Sequence, residues 1–284
     1  MSDGLVPGLY LVSLPIGNRE DISSRARDVL SRSDVIAAED TRKARQLFKE
    51  LSVNVVASSF LSVHEHNEVE RANAIIQALE SGQSVALVSD AGTPLVSDPG
   101  YVIVNRVVEK EFDVFAVPGP CAVIAALTVS GLPTDRFYFE GFLPTKGSAK
   151  DSALTRMANS GTTAICYESP KRILHTLERL VNITPDRRVA VVRDITKSWE
   201  SVYRGSAQQV MNAMSSDPYG EKGEMVLLVE GKQSDRPLAD AADALMRRLV
   251  DELPPKSVAK IVADVCGGDK QTRYRELMDI KSKG

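Results

Sequence analysis

A loop in the first half of the chain carries the residues best suited to hold a polar ligand. It reads Ser89-Asp90-Ala91-Gly92-Thr93-Pro94 and follows the apolar run Val85–Val88. Asp90 stands where a strand is expected to end, so its carboxylate can accept hydrogen bonds from a ribose or an amine. The small residues after it let a ligand approach the main chain. The same residues also suit a plain turn in which Asp90 and Asp98 serve as turn and N-cap residues, and the loop alone leaves both interpretations open.

Histidine and cysteine residues give little support for metal or thiol chemistry. His64 and His66 are two positions apart, which excludes the i, i+4 zinc chemistry of an HExxH helix. They suit a capped helix start, or alternatively His64 or Asn67 lines a cleft. Cys121 follows a Pro-Gly-Pro turn and has no adjacent histidine to activate its thiol. With Cys166 and Cys266 it forms no CxxC pair, which argues against structural zinc and indicates a reducing cytoplasm.

Basic residues occur in pairs at two expected strand ends and again near the C-terminus. Arg42-Lys43 and Lys171-Arg172 suit either phosphate binding or a solvated surface. From Pro254 to Gly284 there are seven Lys/Arg and four Asp/Glu, although the whole chain has a net charge of −3. A basic tail on an acidic body suggests a tail with its own partner, and a solvated helical face explains the same pattern.

The composition is that of a soluble globular protein, with 43% hydrophobic and 26% charged residues. A chain of 284 residues can bury two modest cores. The first residues contain no basic stretch followed by an apolar core, so we expect no signal peptide. No apolar run approaches the roughly 20 residues that span a bilayer, so we expect no membrane partner.

Alternating strand and helix patterns predict an α/β fold. Residues 1–119 read as about five short β-rich runs separated by helices, among them a long helix from Glu65 to Ser81, which predicts a parallel sheet covered on both faces. Residues 120–232 contain several strands joined without helices, which indicates a mixed sheet with an antiparallel portion, and helices at 147–160 and 170–182. Residues 233–284 form a separate module, in which a polar linker at 232–240 leads into three helices.

Ligands of open parallel sheets bind beyond the carboxyl ends of the strands. That rule selects five loops rich in Gly, Pro, Ser, Thr and charge, namely 14–18, 38–45, 89–100, 118–122 and 167–172. Taken together, in order and spacing, they resemble the tetrapyrrole (corrin/porphyrin) methylase superfamily, and most closely its ribosomal RNA small subunit methyltransferase I branch. The resemblance runs from about Gly8 to Gly231 and rests on LYLVSLPIGNREDIS, VIAAEDTR, HEHNE, VALVSDAGTPLVSDPG, VPGPCAVIAAL, FEGFLP, YESPKR and GEMVLLVEG.

The resemblance implies two α/β domains flanking a cleft that holds S-adenosylmethionine, followed by a small helical module. This cofactor has no phosphate, so the turn after the first strand, LPIGN, does not need several glycines. Tetrapyrrole-modifying relatives carry a more glycine-rich turn, and the departure argues against a porphyrin or corrin substrate. The positions that match cofactor contacts of the superfamily are Ile16, Asp90, Thr93, Cys121, Ala122, Tyr167 and Met225.

The reaction implied is methyl transfer to the ribose 2′-hydroxyl of a cytidine in the decoding region of 16S ribosomal RNA. A hydroxyl is a poor nucleophile, so it must be aligned with the sulfonium methyl group, and a base can take its proton. The candidates for that base in matched motifs are Glu39, Asp40, His64 and Glu168. The candidates for RNA contacts are Arg42, Lys171 and Arg172 and, around a Gly267-Gly268 turn like that of a helix-turn-helix pair, Lys256, Lys260, Lys270, Arg273 and Arg275.

Other interpretations predict different properties. The C-terminal helices suit an RNA-facing module, or a cap on the body or a dimer partner. A small-molecule methylase acting on a porphyrin precursor would have a wide apolar cavity and no basic surface. A non-catalytic RNA-binding protein would have lost its cofactor, against which the intact SDAGTP and PGPCA motifs argue. The family resemblance also implies a homodimer that acts on the small ribosomal subunit.

Overall fold

The computed structural model describes residues 4–55, 59–145, 147–232 and 238–283. The chain divides into two compact units, Met1–Gly231 and Lys232–Gly284. Both sheets belong to the first unit, and the boundary expected after residue 119 falls in the connection between them. The division of this unit into two domains therefore stays a prediction.

The first sheet is parallel throughout. Its order is β3-β2-β4-β1-β5, so that Tyr10 of β1 lies between Ala86 of β4 and Phe115 of β5. Its strands are β1 (Gly8–Val12), β2 (Val35–Ala38), β3 (Ser59–Ser62), β4 (Ser84–Val88) and β5 (Val114–Val117). Strands β2 and β4 are completely buried, because helices cover both faces of the sheet. The predicted parallel sheet is confirmed.

Four helices connect these strands: α1 (Ser24–Arg32), α2 (Thr41–Glu50), α3 (Glu68–Glu80) and α4 (Tyr101–Glu109). Side-chain caps set two of the starts, because Ser23 accepts from the Ala26 amide and Asp40 accepts from the Arg42 amide. The helix predicted from Glu65 begins three residues later. Residues 64–67 form a turn instead, in which the Asn67 side chain accepts from the His64 amide.

The second sheet is mixed, as predicted. Its strands are β6 (Phe137–Phe142), β7 (Thr163–Glu168), β8 (Arg188–Arg193), β9 (Ser201–Ser206) and β10 (Met225–Val229). The order is β6-β7-β10-β8-β9, in which β6 and β7 are parallel and the other pairs are antiparallel. One face packs against α5 (Ala122–Ser130), and the other packs against α6 (Gly147–Asn159), α7 (Ile173–Ile183) and α8 (Ala207–Ser216).

The second unit consists, in its described part, of three helices: α9 (Leu238–Leu249), α10 (Pro255–Cys266) and α11 (Lys270–Lys283). They bury a small core of their own that includes Met246, Val258 and Leu277. Gly267 and Gly268 both have positive φ, 74° and 95°, which permits the tight turn between α10 and α11. Most of the linker expected at 232–240 lies outside the described residues, and α9 begins within its last part at Leu238. None of the helices in the described ranges is long and apolar enough to cross a membrane.

Candidate active site

A cavity of about 440 Å³ lies among the loops of the first unit. It collects residues from the turn after β1, the loop after β4, the start of α5, the end of β7, the loop after β8 and the start of β10. Its volume is within the usual range for small-molecule sites. Its lining includes all seven residues predicted to contact the cofactor, namely Ile16, Asp90, Thr93, Cys121, Ala122, Tyr167 and Met225.

Hydrogen bonds join three of the motif loops at the base of this cavity. The main chains of Leu14 and Gly92 exchange two hydrogen bonds of 2.8 and 3.0 Å. The Thr93 hydroxyl donates to the carbonyl oxygen of Pro120 at 2.9 Å and lies 3.0 Å from the Ser13 hydroxyl. The carboxyl ends of β1, β4 and β5 are therefore fixed relative to one another.

The LPIGN turn contacts the loop after β8. The Asn18 amide donates to the Thr196 hydroxyl at 3.1 Å. A Cβ atom on Gly17 would lie 2.5 Å from Lys197 Cγ and 2.8 Å from Thr196 Oγ1, closer than such atoms can approach. Gly17 therefore permits a close approach between this loop of the first sheet and the loop after β8 of the second. The approach explains why the turn has a glycine although it binds no phosphate.

The loop from Thr93 to Gly100 is strained and held at its end. Leu95 and Ser97 have φ values of 72° and 67°, a left-handed conformation that costs a non-glycine residue on the order of 1–3 kcal/mol. The buried Glu68 carboxylate accepts hydrogen bonds from the amides of Gly100 and Val102 at 2.9 and 2.7 Å. This anchor at the start of α4 holds the loop where Val96, Ser97 and Asp98 line the cavity.

Asp90 and Asp40 each have a cationic partner. Asp90 is 2.6 Å from Lys43 Nζ and also accepts from the Asp40 amide at 3.3 Å. Asp40 caps α2, and hydrogen bonds from the Arg42 side chain and amide lower its pKa to about 2. Its carboxylate is therefore ionised and engaged, which argues against Asp40 as the base. Burial raises the pKa of Glu39, and the charge of Asp90 raises it further. Glu39 does not line the cavity, however.

Glu168 lines the cavity, but its carboxylate is held by neighbours. It is bonded to Lys150 Nζ at 2.8 Å, to Arg172, to the Thr176 hydroxyl at 2.8 Å and to the Ser169 amide at 2.8 Å. The oxygens of this carboxylate are thus occupied by four donors, which leaves little room for a hydrogen bond from a substrate hydroxyl. We therefore reassign Glu168 from candidate base to the support of its loop. His64 is exposed and bonded to Asn67, away from the cavity lining.

Aromatic side chains form one wall of the cavity. Tyr167 packs against Phe139 and Phe142 with ring centroids 5.0 and 5.1 Å apart. Burial raises the pKa of Tyr167. Phe142 also lines the cavity and is 62% exposed, so it stands at the rim. The sequence patterns singled out neither Phe142 nor the cavity position of Asp98, although both lie inside quoted motifs.

The predicted RNA-binding cations are in different surroundings. Lys171 and Arg42 are exposed, whereas Arg172 is bonded to Glu168. In the second unit four are exposed: Lys256, Lys260, Lys270 and Arg275. Arg273 turns back instead, with two hydrogen bonds to the carbonyl oxygen of Gly267 and an ion pair with Glu276, so it closes the turn after α10. We reassign Arg273 to that structural role. Within the described ranges no group of three or more His, Cys, Asp and Glu residues could hold a metal ion.

The fold and the cavity define a methylase. The family model for tetrapyrrole (corrin/porphyrin) methylases matches residues 8–211, which is most of the chain. A solved structure titled uroporphyrin-III C-methyl transferase from Thermus thermophilus, complexed with S-adenyl homocysteine, superposes with a TM-score of 0.52 and 18% identity. The superposition covers 78% of this chain and 97% of that one. At this identity the likeness shows the fold.

The sequence is more closely similar to one group of these methylases. It is 41% identical to the ribosomal RNA small subunit methyltransferase I of Haemophilus influenzae, over 94% of this chain and 95% of the relative. It is also 41% identical to that of Escherichia coli O157:H7, over 95% of this chain and 94% of the relative. Residues 236–281 match the model of the RsmI C-terminal HTH domain. The chain belongs to the ribosomal RNA small subunit methyltransferase I family.

Proposed function

We propose that this protein transfers a methyl group from S-adenosylmethionine to the 2′-hydroxyl of a cytidine ribose in the decoding region of 16S ribosomal RNA. The observation that carries the proposal is the single cavity lined by residues of all the family motifs that match the cofactor site. Family membership and the 41% identical relatives support a ribosomal RNA substrate.

The cavity suits a folded S-adenosylmethionine. Ile16, Tyr167 and Met225 supply apolar walls against which a purine and a methionine side chain can pack. The Asp90 carboxylate can accept from a ribose hydroxyl or an ammonium group. Gly92 brings the main chain to the cavity surface, where a Cβ atom would lie only 3.2 Å from Ile16 Cγ2. When bound, this cofactor supplies an electrophilic sulfonium methyl group.

The contribution of the protein to the reaction is alignment. The hydrogen bonds among the loops after β1, β4 and β5 hold the cavity walls in place before any ligand enters. A hydroxyl oxygen positioned in line with the methyl carbon gains from that fixed geometry, because little orientation entropy is lost at the transition state. A nucleotide can enter from the exposed rim at Phe142, and the exposed Lys171 follows Pro170, which also lines the cavity.

The helical unit provides a surface for the rest of the RNA. Lys256, Lys260, Lys270 and Arg275 are exposed on two helices joined by a tight turn, a geometry like that of helix-turn-helix modules. We propose that these cations contact RNA phosphates within the small ribosomal subunit, in the cytoplasm, and that the enzyme acts as a homodimer.

The test compares two acceptors that differ in one atom, the oxygen of the ribose 2′-hydroxyl. A reconstituted small subunit carrying deoxycytidine at the target position should accept no methyl group, while the same subunit with cytidine should be methylated. The 2′-hydroxyl is the difference between the two substrates, so the comparison isolates the acceptor. Equal assembly of both subunits must be shown by sedimentation. Methyl incorporation at the deoxycytidine would identify a base atom as the acceptor and disprove the ribose mechanism.

A further inference from the structure

Asp98 lies on the cavity wall without a role in the alignment described above. We propose that Asp98 is the general base that accepts the proton of the acceptor hydroxyl. This inference rests on the proposed function and goes beyond it by naming the group that completes the transfer. Its basis is the position of Asp98 in the cavity, its lack of a cationic partner and the strained loop that holds it.

The other carboxylates near the cavity are already neutralised. Asp90 is paired with Lys43, and Glu168 is paired with Lys150 and Arg172. Asp98 makes no ion pair with any residue that the structure describes, and the neighbouring group that lowers the pKa of its carboxyl, the Ser89 hydroxyl, is neutral. The acids that line the cavity within Met1–Gly231 are Asp90, Asp98, Glu168 and Glu224. Glu224 is paired with Lys197, whereas Asp98 is partly buried and has no ion pair with a described residue. A proton acceptor requires such an unpaired carboxylate.

The backbone around Asp98 is held in an unfavourable conformation. Its neighbour Ser97, like Leu95, has a positive φ, and the Glu68 carboxylate fixes the end of the loop two residues further on. Strain of this kind persists where the surrounding structure imposes it, and it is concentrated at functional sites. Asp98 thus lines the cavity from a loop with two left-handed residues next to it.

The hydroxyl oxygen of the acceptor forms a bond to the methyl carbon, and the bond between that carbon and sulfur breaks. The electron pair of the broken bond stays on sulfur, which loses its positive charge. The hydroxyl proton moves to a carboxylate oxygen of Asp98, which becomes a neutral acid and later releases the proton to solvent. No further reactant is needed.

The surroundings of Asp98 suit this task. Burial raises its pKa to about 6, the nearby Ser89 hydroxyl opposes that rise, and the charges of Glu39 and Asp90 add to it. Tyr167, on the second sheet, also faces it. The carboxylate is thus mostly ionised at neutral pH, yet a better proton acceptor than an ordinary aspartate. A base is most effective when its pKa lies close to the working pH.

The experiment compares the full-length wild type with Asp98→Asn. Single-turnover methylation of small ribosomal subunits is measured between about pH 5 and 8, and the affinity for S-adenosylmethionine is measured by calorimetry. We expect the wild-type rate to rise with pH through a midpoint near 6, because the carboxylate must be unprotonated. Asp98→Asn should lower the rate by roughly 100-fold or more and abolish that rise, with the cofactor affinity unchanged within about threefold.

Two further variants keep the outcome decisive. Asp186→Asn makes the same change at an exposed site and should keep the wild-type rate and pH profile. Asp98→Glu keeps the carboxylate and should retain more activity than Asp98→Asn. If Asp98→Asn unfolds, the pH profiles of the wild type and Asp98→Glu test the proposal instead. A glutamate at this position should shift the pH midpoint of the methylation rate.

Three results would overturn the proposal. These are an Asp98→Asn rate within threefold of the wild type, an unchanged pH profile in that variant, or a loss of cofactor affinity that accounts for the whole loss of rate. A wild type that methylates no ribosomal RNA would instead contradict the proposed function itself, so the two failures can be told apart.

Discussion

Lys150 Nζ lies 2.8 Å from Glu168 Oε2, and the two side chains are 4% and 0% exposed. Lys150 comes from α6, and Glu168 ends β7, where the loop that lines the cavity begins. Arg172 and Thr176 bind the same carboxylate from the following helix. The buried ion pair therefore holds the end of β7, which lines the cavity.

Removal of the Lys150 ammonium group should destabilise the protein. Lys150→Met leaves Glu168 buried with Arg172 as its remaining cation, and breaking a buried pair costs about 3–5 kcal/mol. We expect a decrease of that size in the free energy of unfolding, measured with urea. Lys49→Met, at an exposed site, should change it by less than about 0.5 kcal/mol. Equal stability of the two variants would show that the buried pair contributes nothing.

Asp90 should contribute directly to cofactor affinity. Asp90→Ala removes the acceptor that lines the cavity, and the loss of such a polar contact costs about 1–3 kcal/mol. Calorimetry should therefore show a dissociation constant for S-adenosylmethionine raised by roughly 5- to 150-fold. Lys43→Met removes the partner of Asp90 but keeps the carboxylate, and it should weaken binding less. An unchanged affinity in folded Asp90→Ala would remove Asp90 from the cofactor site.

Gly17 should tolerate no side chain. The methyl group of Gly17→Ala would overlap Lys197 and Thr196, so the LPIGN turn must move and carry the adjacent Ile16 away from the cavity. We expect weaker binding of S-adenosylmethionine and a lower melting temperature. Gly161→Ala is the matched control, because a Cβ atom there meets no atom within 4 Å. Wild-type affinity in Gly17→Ala would show that the contact with the loop after β8 is dispensable.

The helical unit should be separable from cofactor binding. A chain ending at Gly231 keeps the whole cavity, so it should bind S-adenosylmethionine with the wild-type affinity. Its affinity for RNA should fall, and the dependence of that affinity on salt should become shallower as phosphate contacts are lost. Filter binding at several salt concentrations measures both quantities. An unchanged affinity and slope would assign the helices a structural role.

The sequence predicted the elements and the loops at their ends better than it predicted the contacts between them. Strand runs such as 84–88 and 225–229 are short, apolar and bounded by turn residues, and that local pattern is sufficient to recognise them. The rule that ligands lie beyond the carboxyl ends of strands then selected five loops, four of which line the cavity, whereas the loop 38–45 does not. Local patterns were wrong about the start of α3, where the Asn67 side chain stabilises a turn ahead of the helix.

Interactions between distant residues could not be predicted in this way. Nothing near Lys150 shows that its ammonium group is buried, because its partner is 18 positions further along and on another element. Arg273 looks like a free cation until the folded turn places the Gly267 carbonyl oxygen within its reach. The proposed role of Asp98 likewise depends on the positive φ values around it, which cannot be predicted from the residue types of Leu95 and Ser97.

The Thr93 hydroxyl has a single hydrogen, and the carbonyl oxygen of Pro120 receives it. Ser13 must therefore be the donor in its pair with Thr93, and the hydrogen bonds run in one direction from Ser13 through Thr93 to Pro120. A valine at position 93 would keep the shape but leave a donor and an acceptor without partners, whereas a serine would preserve the order. Substitutions at positions 13 and 93 are consequently not independent, and their effects on the free energy of unfolding should not add.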